Sequence, residues 1–318
     1  MFTIIFPEGS FRGHRVNQFL GEAQSIFKEK LNVISLKDFL KNGLSDNCKI
    51  CMPRIGSPSM SNDTLELLKS YENNGVKIYP NTQSIVECGD KDLFYKKCLQ
   101  NDIPIPKTTT LNLNESIDYT KINIPKPWII KPVSGSGGND IFKINSIKEL
   151  EDFLSNSEYI SNTFKNKIIL QEYIETIYNY PNHIRLYVLN NNLVCGAKFE
   201  SSGKYVEGSI VEKSKSIFVN KKEIHQHKTK LNNQPVSNVG HGGYVLDHKV
   251  TKLEEKIALK VADIFDIEFT AIDIMYDKNN NLYVLEANIS PHVYQTVPLY
   301  NIHFPKMIYN FLQEKYEI

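Results

Sequence analysis

A chain of 318 residues, 41 % hydrophobic and 23 % charged, has ordinary globular composition and enough length for two or three compact lobes. Its 37 Lys and Arg against 36 Asp and Glu leave a net charge of +1, which argues against a nucleic-acid binder held by phosphate neutralisation. No stretch approaches the roughly 18 apolar residues of a membrane span, and the opening MFTIIFPEGSFRGHR is a short apolar run followed by charges, so a cytoplasmic protein with neither a membrane nor a nucleic-acid partner is expected.

In chain order, FTIIF (2–6) reads as a buried strand, and Val16, Phe19, Leu20, Ala23 and Phe27 then recur at helical spacing. LNVISL and CKICMPRI repeat the strand signal, Thr64 to Tyr71 reads as a helix, and VKIYPN as a further strand. Strands alternating with helices imply a small parallel sheet. The five cysteines, Cys48, Cys51, Cys88, Cys98 and Cys195, lack paired metal spacing; Cys48 and Cys51 match C-x-x-C but lie in a strand run, so reduced, buried thiols are expected. From Asp90 a helix runs to NDIPIPKT, where two prolines end it. PWIIKPV, a glycine-rich turn, FKI and a helix over 147–154 follow. After Lys167 the pattern is strand-rich: KIILQEYI, HIRLYVLN, NLVCGAKFE, then EFTAIDIMY and NLYVLEANI joined by the hairpin signal DKNNN. A helix carrying Leu253, Ile257, Val261, Ile264 and Phe265 on one face interrupts them. The expected fold is α/β (α+β).

Asp273, Glu286 and Asn288 form the sharpest constellation. Glu286 and Asn288 leave the same face of one strand, and a hairpin turning near Asn279 brings Asp273 alongside. Two carboxylates and an amide oxygen are hard ligands of the kind Mg²⁺ takes while keeping water and nucleotide phosphate. Solvation of an exposed sheet face is the ordinary alternative, but the flanking AIDIM and YVLEANI are strongly apolar. Lys131-Pro-Val-Ser-Gly-Ser-Gly-Gly138 follows a strand, and its small residues let backbone N–H groups wrap a phosphate. It has neither Walker A nor Rossmann spacing, and alone it is a glycine-rich hairpin loop. Lys91 opens a helix and adds a second cation; by itself it is a surface lysine. Gln171-Glu172-Tyr173-Ile174-Glu175 closes another apolar strand, with backbone groups for an adenine edge and carboxylates for ribose hydroxyls or amines. Arg54 in PRIGSP is the first-lobe candidate for a substrate carboxylate, since its fork matches one bidentately.

Taken in order, PRIGSP, DKDLFYKKCLQNDIPIPKT, WIIKPVSGSGG, ILQEYIE, HIRLYVL, SNVGHGG, TAIDIM and VLEANISP resemble the ATP-grasp superfamily, and within it the RimK-type glutamate ligases. The resemblance implies a pre-ATP-grasp α/β domain (1–88), a lid-bearing lobe (89–166) and a C-terminal lobe (167–318). It implies ATP, held by Lys91, Lys131, the loop Ser134, Ser136, Gly137 and Gly138, and the strap Glu172, Tyr173, Ile174 and Glu175. One or two Mg²⁺ ions, replaceable by Mn²⁺, are expected on Asp273, Glu286 and Asn288, with Arg185, Asn238 and His241 near the γ-phosphate and acyl group. A carboxylate substrate (amino acid or peptide) and an amine co-substrate are implied; a homo-oligomer is left open. Where the RimK pattern has Asp-Ile-Arg this chain has His183-Ile184-Arg185; Arg-Ser-Asn becomes Val236-Ser237-Asn238, and His-Arg-Gly-Gly becomes Gly240-His241-Gly242-Gly243. Two cationic positions are lost or weakened, with Lys198, Lys213, Lys215 and His241 as candidate replacements. The Lys-rich stretch between Phe199 and Gln234 steers an anion or is a solvated loop. His225 and His227 read as surface histidines. Tyr294 and Tyr300 face the acceptor or pack in the core. A kinase of the same fold and a non-catalytic nucleotide-binding module are the competing readings.

Overall fold

The computed structural model describes residues 1–7, 14–56, 60–135, 140–155, 157–164, 166–178, 182–200, 211–212, 215–216, 244–293 and 296–316. The first lobe alternates β1 (Phe2–Phe6), α1 (His14–Phe27), β2 (Leu31–Ser35), α2 (Leu36–Asn42), β3 (Ile50–Pro53), α3 (Asn62–Asn73), β4 (Lys77–Ile78) and α4 (Thr82–Gly89). Its four strands pair in parallel in the order β2-β1-β3-β4. All five residues of β1 are buried, as befits a strand covered on both faces. Helices α2, α3 and α4 start where Ser35, Ser61 and Asn81 accept a backbone N–H from the first turn. Pairing Ile5 with Pro53 brings the chain out of β3 at Arg54, whose N–H donates to Ile5 O at 2.8 Å. Arg54 thus stands at the carboxyl ends of the strands, where open parallel sheets leave their ligand crevice.

The middle lobe contains α5 (Lys91–Gln100), β5 (Thr108–Asn112), β6 (Trp128–Pro132), β7 (Phe142–Ile144), α6 (Ile147–Leu154), α7 (Ser157–Phe164) and β8 (Lys167–Glu172). The four strands form one antiparallel sheet in the order β5-β8-β6-β7 over a core of Trp128, Ile130, Leu150, Phe164, Ile168 and Leu170. Because β8 lies between β5 and β6, the boundary expected at 166/167 runs through this sheet; by hydrogen bonding β8 goes with the lobe before it.

The last lobe holds β9 (Asn182–Leu189), β10 (Asn192–Glu200), the short pair β11 (Val211–Glu212) and β12 (Lys215–Ser216), β13 (Tyr244–His248), α8 (Lys252–Ile264), β14 (Phe269–Tyr276), β15 (Leu282–Asn288), α9 (Thr296–Tyr300) and α10 (Phe304–Tyr316). Its five-stranded sheet runs β13-β10-β9-β14-β15. Ile184, Leu186, Val188, Ile272 and Ile274 share a core with Ala258 and Val261 of α8, which starts on a capping box between Thr251 and Glu254. Tyr187, Leu189, Phe269 and Ala271 instead share a core with Phe2, Ile4 and Leu20 of the first lobe and Phe304, Ile308 and Phe311 of α10. Phe27 and Tyr309 meet edge-on at 4.9 Å, joining α1 to α10. The first and last lobes are therefore welded; the middle-lobe sheet has its own core on one face, while Phe94, Tyr95 and Cys98 of α5 and Ile169 of β8 join the core shared by the other two lobes. Among the described residues no helix is long and apolar enough to cross a membrane.

Candidate functional site

The register of β9, β14 and β15 sets Arg185 opposite Asp273 and Asp273 opposite Glu286, with Tyr187, Ala271 and Asn288 in the next in-phase row. Side chains alternate along a strand, so Arg185, Asp273, Glu286 and Asn288 share one face. A bulge then makes Asp273 pair with Glu286 but Ile274 with Val284, leaving Leu285 as the extra residue.

Arg185 closes its fork on Asp273, with Nε donating to Oδ1 and Nη2 to Oδ2, both at 2.7 Å, and both side chains are buried. Burial works against the guanidinium charge, but the Asp273 carboxylate outweighs it and raises the Arg185 pKa. The Phe199 ring lies 5.0 Å from the guanidinium carbon and carries the His183 ring stacked at 4.7 Å and 9°. His183 Nε2 stands 3.9 Å from Asp273 Oδ2; burial, then the neighbouring Arg185 charge, push its pKa down to about 3, so the imidazole is neutral. The position that departs from the Asp of the RimK pattern thus contributes an uncharged ring.

The middle lobe supplies cations. Lys91 is the first residue of α5, which Asp90 caps by accepting from the Asp92 and Leu93 amides. Its N–H donates to Val133 O at 2.9 Å and its Nζ to Gly135 O at 3.1 Å, so it holds the first residues after β6 at two points. Lys131, near the end of β6, donates from Nζ to Tyr95 Oη at 2.5 Å and to Gln171 Oε1 at 2.8 Å. Burial lowers the pKa of both lysines; Lys131, with the Lys91 charge adding to burial, falls to about 7. The Glu286 carboxylate opposes the shift in both, which ties the lysines and the acidic row into one electrostatic cluster. Of the acidic row, Glu286 is the residue brought near Lys91 and Lys131: Tyr95, which accepts from Lys131, donates to the carbonyl of the neighbouring Leu285.

The strap after β8 joins two sheets. Glu172 N donates to Lys107 O at 2.8 Å and Tyr173 N to Pro127 O at 3.1 Å, while Lys278 N, in the β14–β15 turn, donates to Glu175 O at 2.8 Å. Ile174 is buried; Lys143 Nζ lies 3.9 Å from the Tyr173 ring centre. The Glu172 side chain accepts from Lys107 N, and Glu175 pairs with Lys278 at 2.9 Å on the surface. Ser134 is exposed at the start of the glycine-rich loop.

Arg54 reaches from the first lobe to Pro291, donating from Nη2 to its carbonyl at 2.5 Å, just beyond Asn288. Its guanidinium lies 5.2 Å from the Phe19 ring centre and 5.7 Å from that of Phe269. Burial lowers its pKa to about 10, and Nη1 is buried without a hydrogen-bond partner among the described residues.

Other expectations resolve differently. Lys198 pairs with Glu200 at 2.5 Å and covers the Tyr178 ring at 4.2 Å, so its charge already has a partner. The Tyr300 hydroxyl donates to Gly196 O and accepts from His248 N, a structural tie. All five cysteines are free; burial raises the Cys48 and Cys51 pKa values, which keeps them thiols. Ser136, Gly137, Gly138, Lys213, His225, His227, Val236, Asn238, His241 and Tyr294 lie outside the described residues, and Lys215 is described only as part of β12. The sequence offers Gln171 only as part of the strap motif and says nothing of Tyr95, which follows Lys91 by one helical turn, the one available signal; both accept from Lys131.

The RimK-like ATP-grasp domain model matches residues 89–232 and 204–310. An α-aminoadipate–LysW ligase of Saccharolobus solfataricus is 26 % identical over 246 residues, covering 77 % of this chain and 75 % of that one. A tetrahydromethanopterin:α-L-glutamate ligase of Methanocaldococcus jannaschii is 28 % identical over 195 residues, 60 % of this chain and 54 % of that one. Among solved structures, a RimK-domain ATP-grasp protein of Sphaerobacter thermophilus superposes with a TM-score of 0.62 at 12 % identity, covering 98 % of both chains, which shows a shared fold. With its family model spanning both lobes that build the cleft, the chain belongs to the RimK-like ATP-grasp family.

Proposed function

We propose that the chain uses ATP and Mg²⁺ to activate a substrate carboxylate as an acyl phosphate and to pass the acyl group to an amine, releasing ADP and phosphate. One observation carries the reading: two buried lysines of the middle lobe lie beside the strand of Glu286, Lys131 joined to it through the Tyr95 hydroxyl that also bonds Leu285 O, and Glu286 stands in the row that also holds Asp273. Cations on one wall and hard anionic donors on the other suit a triphosphate with its metal.

The donors present fit Mg²⁺. Asp273, Glu286 and Asn288 offer oxygen alone from one sheet face, and among the described residues no group of three His, Cys, Asp or Glu side chains forms a full cage. An ion there completes its shell from phosphate and water, as Mg²⁺ commonly does. Once bound, it supplies charge neutralisation on the phosphates. Arg185 takes one lone pair on each Asp273 oxygen and leaves the second on each for a metal, and the Asn288 amide oxygen accepts from Ser290 N at 3.1 Å.

In this reading Lys91 and Lys131 bind the phosphates, the Ser134 loop closes over them, and the strap Glu172–Glu175 borders the adenosine. Closure keeps water from the acyl phosphate, which would otherwise hydrolyse. Arg54, a fork with a free nitrogen and no acidic partner among the described residues, receives a substrate carboxylate. Relatives named for joining α-aminoadipate or glutamate support an amino acid or peptide as substrate. Purified protein with ATP and Mg²⁺, screened against pairs of amino acids and peptides, is expected to release ADP only when both an acid and an amine are present. Release that needs no amine contradicts the ligase reading.

A further inference from the structure

We propose that Tyr95 is a positioning residue of the nucleotide site: its hydroxyl aims the Lys131 ammonium and ties it to the strand bearing Glu286. The inference rests on the reading of Lys131 as a phosphate-binding cation. An ammonium has three N–H donors and accepts nothing. Lys131 gives two of them to Tyr95 Oη and Gln171 Oε1, and tetrahedral geometry at nitrogen then fixes the direction of the third.

Both acceptors are themselves anchored. Gln171 Nε2 donates to Thr108 Oγ1 at 2.7 Å, and that hydroxyl donates to Pro106 O at 2.7 Å. Tyr95 gives its own proton to Leu285 O at 2.8 Å, so toward Lys131 it can only accept. Leu285 is the bulged residue beside Glu286, and the Tyr95 bond satisfies its carbonyl. Burial raises the Tyr95 pKa well above the ordinary phenol range, so both partners of Lys131 are neutral. Among the described residues no carboxylate pairs directly with Lys131, and its charge stays available to an anion. Lys91 lies one turn before Tyr95 on the same face of α5, so one helix places one lysine and orients the other.

The test is a double-mutant cycle on ATP affinity, read by calorimetric titration of Tyr95→Phe, Lys131→Met and the double variant, each checked for a cooperative melt. Tyr95→Phe is expected to weaken ATP binding about tenfold, the scale of one hydrogen bond to a charged group. Lys131→Met is expected to weaken it at least as much, and the double variant no further than Lys131→Met alone. Losses that multiply in the double variant, or unchanged affinity in Tyr95→Phe beside a weakened Lys131→Met, overturn the role of Tyr95. Unchanged affinity in Lys131→Met overturns the nucleotide reading itself. Should the unsatisfied Leu285 carbonyl prevent Tyr95→Phe from folding, 4-aminophenylalanine at position 95 restores a donor to Leu285 O but accepts poorly from Lys131. It is expected to fold and to bind ATP as weakly as stated for Tyr95→Phe; wild-type affinity in that variant overturns the proposal.

Discussion

The two walls of the cleft treat charge in opposite ways. On the middle-lobe wall Lys91 and Lys131 are held by neutral oxygens, those of Gly135, Tyr95 and Gln171, and neither has an ion-pair partner among the described residues. On the C-terminal wall Arg185 is closed on Asp273 through two 2.7 Å bonds, and its charge is already matched. The arginine expected near the γ-phosphate is engaged with an acidic side chain, whereas the lysines keep neutral partners, which suits the anion-binding role proposed for them. Arg54 resembles the lysines, with a buried nitrogen that has no hydrogen-bond partner among the described residues.

Substituting the acidic row breaks the comparison most severely. Glu286→Gln and Asp273→Asn should each lower turnover by roughly 10³-fold or more, equivalent to several kcal/mol of lost charge stabilisation. Their stabilities should differ, because Asp273→Asn leaves the buried Arg185 unpaired, at a cost of about 3–5 kcal/mol. Thermal melts check this: a large drop for Asp273→Asn and a small one for Glu286→Gln. Equal melts would show that the Arg185 pair carries no structural weight.

Next in size, Lys91→Met or Lys131→Met should weaken ATP binding about 10- to 100-fold, the range for lost charged hydrogen bonds. Calorimetry with unchanged affinity in both would remove the cationic wall from the site.

Lys131 also gives a pH signature. Its folded value near 7 lies below the ordinary 10.5, so above pH 7 the ligand-free ammonium is mostly deprotonated. Phosphates favour the charged form, so ATP binding near pH 8 should take up protons and weaken as pH rises through about 7 to 8. Titration in buffers of different ionisation enthalpy measures the uptake, and Lys131→Met should abolish it. Between about 7 and 10.5 the unfolded chain binds the extra proton, so unfolding free energy should rise with pH across that window and flatten in the variant.

The smallest effect belongs to the surface pair Lys278–Glu175, more than half exposed on both sides. Lys278→Ala should change stability by less than about 1 kcal/mol. A larger loss would mean that the strap depends on this pair.

Local patterns in the sequence carried the strands, the main helices and the hairpin that pairs Asp273 with Glu286, because period and turn chemistry are short-range properties. What stayed hidden is long-range. KIILQE announces a strand, but nothing local says that β8 inserts between β5 and β6. Arg185 and Asp273 are separated by 88 residues, and their pairing follows only from the order of the sheet. Tyr95 reads as an ordinary aromatic on a helix until its hydroxyl is seen between Lys131 and Leu285. Lys198 looked like a spare cation because its partner Glu200 is two residues on, where alternation returns both side chains to one face.

The central claim, carboxylate activation by phosphoryl transfer, is tested most directly by following oxygen. With an active acid and amine in hand, the acid is labelled with heavy oxygen in its carboxylate and the released phosphate is analysed by mass. Amine attack on an acyl phosphate expels the bridging oxygen with phosphorus, so labelled phosphate is expected. Hydroxyl phosphorylation would leave the phosphoryl group on the product, and simple ATP hydrolysis would draw its oxygen from water. Unlabelled phosphate from a labelled acid would contradict the acyl-phosphate route.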